Sequence, residues 1–434
     1  MKLTTTAALQ INQILRQGSL VLISIVLAKS GLPTADIGIF ESLLFIGTTV
    51  SFFWINALAQ GTLAHYATAS PIEKPQVKFN IFLVFNGLSL VILCILYFFK
   101  ANILPFLTGQ TTLPYFELYC VYLVLNLPPI ALESLWTVEE TPLSISLYSI
   151  ISHALLPFTV ALPLCFGYGL KSAIEGMILI AVIRYILLII NILHNKNFTV
   201  DIKIIRSFLL LCLPLMGYSF LGGFMGSFSS WIVTWFYKGD LHAFAVFRYG
   251  AREFPVSLAL MTVLSNTLVP VLASNVDNPE VFHKNLTLVK NKSLRLWHWL
   301  FPMSIVLMLT SKWLFKVVFN PDFAESASIF NIYLLLIIAR ALFPQSILLA
   351  LKETKTLLWI SIIETFSLIL LSFLLIFPFH TEGVAWATVV AYLIEKIAIM
   401  WFLKRKYGLD WASYTDVLWY LGYGGLLVFS YFIA

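Results

Sequence analysis

Four arginines carry the most distinctive chemistry in this sequence. Arg248 and Arg252 stand four residues apart in AFAVFRYGAREFP (243–255), a spacing that sets two side chains on one face of a helix. Arg340 and Arg16 lie in two other apolar stretches. A guanidinium is planar, permanently charged and able to grip two phosphate oxygens at once. At bilayer depth it costs roughly 2.5–3.5 kcal/mol on insertion scales, so it faces a cavity or a partner rather than lipid. At 1.5 Å of rise per residue, Arg248 and Arg252 fall about 9 and 15 Å below the outer turn, Arg340 about 15–18 Å above the other end of its span, and Arg16 roughly 12 Å into the first span. If these spans face one cavity, the four make a cationic ladder for an anionic group. The competing reading is snorkelling or structural pairing, and Arg16 lies close enough to water to snorkel.

Acids accompany them. Glu253 adjoins Arg252 but points about 100° around the helix, toward another span, and Pro255 after it is expected to kink or loosen the helix there. Glu41 holds the place early in span two that Arg248 holds in span eight, and the two are read either as a pair that closes an outer gate when the cavity faces inward or as independent interfacial charges. Glu364 is read either as a proton- or sodium-linked carboxylate or as a satisfied structural acid, and His153 either as a core histidine or as a proton relay. Arg184 and Lys396 are expected to snorkel toward His194 and Lys404. No catalytic constellation, metal set or cofactor motif is found. Cys94, Cys120, Cys165 and Cys212 lie singly in or beside apolar stretches, and no GxxxxGK[ST] loop is present.

The elements that position these groups follow from composition. Of 434 residues only 11% are charged and 60% are hydrophobic, with mean hydropathy +0.90. So few charges cannot solvate a globule of this size, which excludes a soluble enzyme, a disordered chain and a nucleic-acid-binding domain. The apolar runs are continuous rather than alternating, so they are helices and not barrel strands. Twelve spans are predicted near 8–28, 37–60, 79–99, 115–135, 143–166, 172–193, 205–226, 242–272, 296–318, 328–350, 356–378 and 383–403, with a weaker thirteenth over 416–434. Gly222 and Gly226 in span seven read as a close-packing pair, and Trp54, Trp136, Trp297, Trp299, Trp313 and Trp419 as interfacial anchors. With the N-terminus inside, about 15 basic residues fall on the cytoplasmic side against about six outside, which fixes that orientation.

The chain also repeats itself. Glu140-Thr141 and Ser149-Ile150-Ile151 recur as Glu353-Thr354 and Ser361-Ile362-Ile363, an offset of about 212; Glu175-Gly176 and Phe40 recur as Glu382-Gly383 and Phe247. Six spans per half give two copies of one orientation, related by an axis along the membrane normal. The expected division is an N-lobe over 1–194, a polar linker over 195–204, a C-lobe over 205–406 and an extra hydrophobic segment over 407–434.

Six-plus-six spans, Leu213-Pro214-Leu215, AFAVFRYGAREFP and LALKETKTLLWISII (349–363) resemble the multidrug/oligosaccharidyl-lipid/polysaccharide exporter superfamily, and within it most the Wzx-type O-antigen or polysaccharide-unit flippases. The likeness covers about residues 1–406, through degenerate motifs. It implies an all-α polytopic fold of two six-helix lobes around a central cavity. It also implies alternating-access transfer of an undecaprenyl-pyrophosphate-linked oligosaccharide between leaflets of a bacterial inner membrane. The pyrophosphate would then be the cargo of Arg16, Arg248, Arg252 and Arg340. The partners implied are membrane lipids and polysaccharide polymerase and chain-length machinery. A lipid II flippase would carry a similarly anionic cargo. A multidrug or cation antiporter would favour carboxylates over arginines, and a membrane polymerase or ligase would need a large outer loop that this sequence lacks. Glycan identity, coupling ion and the side of the C-terminus stay open at this level.

Overall fold

The computed structural model describes residues 4–194, 197–273 and 278–434. Packing divides the chain into two compact units, Met1–Ala245 and Val246–Ala434. The first holds α1 (Thr5–Lys29), α2 (Thr34–Thr68), α3 (Lys74–Phe98), α4 (Lys100–Thr108), α5 (Phe116–Asn126), α6 (Ile130–Val138), α7 (Pro142–Ser149), α8 (Leu156–Cys165), α9 (Leu170–Leu193) and α10 (Ile202–Phe236); α11 (Leu241–Gly250) crosses the division. The second holds α12 (Pro255–Ala273), α13 (Pro279–Val318), α14 (Ser326–Leu334), α15 (Leu336–Arg340), α16 (Pro344–Ala350), α17 (Thr354–Tyr407) and α18 (Val417–Ile433). The chain is all-α and polytopic, as its apolar runs require.

Among the described residues, nine helices are long and apolar enough to cross a membrane, and two bent pairs raise this to eleven. The 54-residue α17 contains two of the expected spans. Its backbone turns at His380 (φ 53°, ψ −135°), between the expected spans eleven and twelve. The weaker thirteenth segment forms α18, a shorter apolar helix. The four cysteines are unbridged, Cys120 and Cys212 buried, Cys94 and Cys165 on the surface.

The internal repeat reappears in the backbone. Left-handed conformations occur at Gly31 and Gly239, at Glu140 and Lys352, and at Gly167 and His380, each pair about 210 residues apart. The turns that reverse the chain thus recur with the same period as the sequence matches.

By packing, α10 groups with the first unit, whereas the expected linker would assign it to the second; of that linker, residues 195 and 196 lie outside the described residues. The cause is its length of contact with α2. The ring of Phe52 fills the space at Gly223, where an added Cβ would come within 1.8 Å, and Cys212 lies against Gly61. Gly222 and Gly226, by contrast, have nothing within 4 Å of an added Cβ, so the expected packing pair is corrected to Gly223 with Gly61. Beyond Pro214 the helix bends by 44° between Gly217 and Ser219.

Candidate functional site

The second unit breaks two of its membrane helices and joins the breaks. The first break separates α11 from α12. Pro255 has no N–H to donate and disfavours the helical region for Phe254 before it, so α11 ends at Gly250 and 252–254 are non-helical. Arg248 therefore stays in the last helical turn while Arg252 sits in the gap. The expectation that they share one helical face is corrected: the helix ends between them. The guanidinium of Arg252 lies 4.8 Å from the ring centre of Tyr249, and Tyr249 stacks on Phe323 at 4.1 Å. Ser326 Oγ donates to the Val246 carbonyl at 2.8 Å, so the end of α11 is docked on the start of α14.

The second break lies at 341–343, between α15 and α16, which meet at 43°. Here the backbone tightens, with Leu342 N–H donating to Ala339 rather than Ile338. The carbonyl of Ile338 instead accepts the Tyr420 hydroxyl of α18 at 2.6 Å, and that of Ala341 accepts Trp297 Nε1 of α13 at 3.0 Å. Non-helical backbone at membrane depth persists only where such partners or water satisfy it. Trp297 and Trp54 are buried, 1% and 2% exposed, and so are not the interfacial anchors expected. The C-terminal helix is thereby part of the site's scaffold, held on α13 by stacking of Tyr423 on Phe301 and by the Tyr423 hydroxyl against His298 Nδ1 at 2.7 Å.

Arg340 ends α15 at this break. Its Nη2 donates to Glu253 Oε1 at 2.6 Å and to the Tyr392 hydroxyl at 2.9 Å, and its guanidinium lies 4.5 Å from the Tyr392 ring centre. Its Nε is buried without a hydrogen-bond partner. Glu253 comes from the gap between α11 and α12, so one ion pair ties the two breaks together. Glu253 reaches another span, as expected, though from a gap rather than from a helical face. Glu364, 5% exposed, lies close enough to Arg340, Glu395 and Lys396 to feel their charges. Lys396 Nζ bonds Glu395 Oε2 at 2.9 Å and Gln345 Oε1 at 3.2 Å, and both ionic side chains are under 10% exposed. Lys396 therefore does not snorkel; an acid and an amide hold it inside.

The remaining predicted residues lie in the first unit. Arg16 is exposed on α1 and bonds Gln13 Oε1, one turn earlier, at 2.8 Å. Glu41 is 1% exposed within α2. Arg184 is also buried, which corrects its expected snorkelling. Its Nε and Nη2 donate to the Tyr148 hydroxyl at 3.0 and 2.6 Å, its Nη1 donates to Asn126, and the Tyr148 hydroxyl donates in turn to the Pro129 carbonyl at 3.0 Å. Beside it Asn12 Nδ2 donates to Glu133 Oε2, and Ser149 Oγ to Asn12 Oδ1, both at 2.9 Å. His153 sits in a π-helical turn (Ile150–Ala154) with Nε2 buried and unbonded, so it is a core histidine without the hydrogen bond expected there. Depth counting missed Arg184, Tyr392 and Glu395. The paired prolines Pro128-Pro129 were the one signal of a break near Asn126.

A family model described as polysaccharide biosynthesis protein matches residues 73–328. A search of curated protein sequences finds no match. Among solved structures, the lipid II flippase MurJ in an inward closed conformation is similar over 99% of this chain and 97% of its own, with TM-score 0.68 and 17% identity. An inward-facing multidrug resistance MATE family transporter of the MOP superfamily is similar over 93% of this chain and 98% of its own, at 0.64 and 13%. A MOP superfamily transporter from Pyrococcus furiosus, described as having a binding pocket of reverse polarity, covers 92% and 95%, at 0.61 and 12%. At these identities the likeness establishes the fold, one that this flippase and these transporters share.

Proposed function

The chain belongs to the polysaccharide biosynthesis protein family, and from that premise we propose that it flips an undecaprenyl-pyrophosphate-linked oligosaccharide repeat unit from the cytoplasmic to the periplasmic leaflet, feeding O-antigen, capsule or exopolysaccharide synthesis. It is a multi-pass membrane protein with the fold of lipid flippases and transporters. The finer assignment rests on one observation: a partly buried guanidinium, Arg340, stands where two broken helices meet, and among the described residues one carboxylate and one hydroxyl accept its hydrogen bonds. Discontinuous helices at membrane depth are where transporters commonly place their substrate sites.

In this reading Glu253 occupies Arg340 while the cargo is absent. A pyrophosphate carries more oxygens than a carboxylate and displaces it, with Arg252 and Arg248 from the neighbouring span as further phosphate partners. Arg16 completes the ladder from the first unit. Transfer proceeds by alternating access of lobes divided at 195–204, with the N-terminus cytoplasmic in a bacterial inner membrane, and Glu41 meets Arg248 in the inward-open state. Glu364, buried beside Glu395 and Lys396, takes the coupling proton or sodium ion. Polymerase and chain-length proteins receive the product. Lipid II is the second candidate cargo, favoured by the extent of the MurJ likeness.

The test is reconstitution into vesicles with a labelled lipid-linked oligosaccharide, and in parallel with lipid II. Arg340→Ala and Arg252→Ala are expected to slow leaflet transfer at least about tenfold, the rate equivalent of losing one charge-assisted phosphate contact. Unchanged transfer in both variants rejects the site, and transfer of lipid II alone reassigns the cargo.

A further inference from the structure

The first unit contains a cavity of about 330 Å3 that the transport reading leaves unused, at the small end of the roughly 300–1,000 Å3 typical of small-ligand sites. Its walls are Lys78 of α3, Trp136 and Glu139 at the end of α6, and Ile190, Asn191 and His194 at the end of α9. Its floor is the apolar cluster of Leu132, Tyr148, Leu188 and Ile192, on which Trp136 packs. Lys78 lies four residues into α3, about 6 Å from the helix start, while Glu139 and His194 cap their helices. The cavity is thus at headgroup depth, the level where Trp side chains settle. Ile190, 58% exposed, and the exposed Ile186 and Leu193 line the adjoining apolar surface of α9.

We propose that this cavity receives the head of a zwitterionic aminophospholipid, its phosphate on Lys78 and its ammonium on Glu139. Lys78 is 3% exposed, yet among the described residues its ammonium makes a single bond, to Glu139 Oε1 at 2.9 Å. Two of its three donors remain for a phosphate oxygen. The same Oε1 also accepts the Tyr66 hydroxyl at 2.7 Å. Oε2 accepts nothing among the described residues, and the Glu139 side chain keeps 25% exposure. A bare anion here would sit beside the Glu139 charge, and a bare cation beside Lys78. A head bearing both charges answers both residues, with the His194 ring and the Asn191 amide at the rim. Its acyl chains then run along the exposed apolar side chains of α9.

Native mass spectrometry of the full-length protein, titrated with dioleoyl-phosphatidylethanolamine, -phosphatidylglycerol and -phosphatidylcholine, tests this. Wild type is expected to retain the ethanolamine lipid at least about fivefold better than the other two, a difference of roughly 1 kcal/mol. Glu139→Gln should reduce the ethanolamine lipid to the level of the glycerol lipid. Ile190→Trp, at an exposed position that leaves the ion pair intact, should block it. Equal retention of all three lipids by wild type overturns the proposal, as does unchanged retention in both variants. Soluble phosphoethanolamine is expected to leave the lipid in place, since the acyl chains add to its hold. Full displacement would make the ligand a free metabolite and overturn the assignment to lipid.

Discussion

One buried cation of the first unit, Arg184, directs its hydrogen bonds to neutral groups, the Tyr148 hydroxyl and the Asn126 amide. In the second unit the cation Arg340 is held by a carboxylate, Glu253, and by the Tyr392 hydroxyl. The two centres occupy corresponding frames. Asn126 ends α5 before a break as Arg340 ends α15, and Arg184 corresponds to Lys396, each pair about 210 residues apart. A guanidinium bonded to a phenol and an amide that belong to its own core has no anion to exchange. One held by a carboxylate from a broken helix has a partner that another anion can replace. On the proposed function, the same frame makes a fixed strut in one unit and an exchangeable anion seat in the other.

The sharpest test of that contrast swaps the outcome of equivalent losses. Arg340→Ala is expected to cut leaflet transfer at least about tenfold, with Arg340→Lys restoring charge but not the planar two-oxygen grip and so recovering only part of it. Arg184→Ala should instead lower thermal stability by about 2–4 kcal/mol, because charge-assisted bonds are lost and the Tyr148 and Asn126 groups are stranded. Transfer per folded molecule should stay near wild type. Transfer lost equally in both variants breaks the distinction.

Next in size is Glu253→Gln. Removing the resident anion should tighten binding of a polyprenyl pyrophosphate severalfold in a direct binding assay while slowing turnover, since release loses its competitor. Weaker binding would make Glu253 a cargo ligand rather than its stand-in.

Much of this was legible in one dimension. Hydropathy reports solvent, so the apolar runs became helical, two of them broken in the second unit, and Pro255 marked the break after α11 through its missing N–H. The partners of buried charges were not legible. Depth counting places Arg184 roughly 14 Å and Lys396 roughly 10 Å from the cytoplasmic ends of their spans, where snorkelling toward His194 and Lys404 is the reading; only packing reveals Tyr148, Asn126, Gln345 and Glu395. The break after Arg340 was hidden because its freed carbonyls are satisfied by Trp297 and Tyr420, which lie 44 and 82 residues from their acceptors.

Smaller effects probe the scaffold around the second centre. Tyr420→Phe removes the bond to Ile338 and should cost about 1 kcal/mol in thermal unfolding, with a modest fall in transfer. Smallest is Glu353→Gln. Lys406, then the Tyr407 hydroxyl, hold the Glu353 carboxyl below its ordinary value of 4.5. Its stabilisation is present above that value and lost as pH falls through the lowered one. The variant should therefore match wild type in strong acid and melt slightly earlier at neutral pH.

The carbonyl of Ile338 has a history as well as a partner. Its hydroxyl donor is synthesised 82 residues later. At roughly 5–20 residues per second, the ribosome needs about 4–16 s to deliver it. During that interval the Ile338 carbonyl lacks the hydroxyl that satisfies it in the folded chain. On the proposed function, the anion seat therefore gains its last scaffold bond only once α18 has been made.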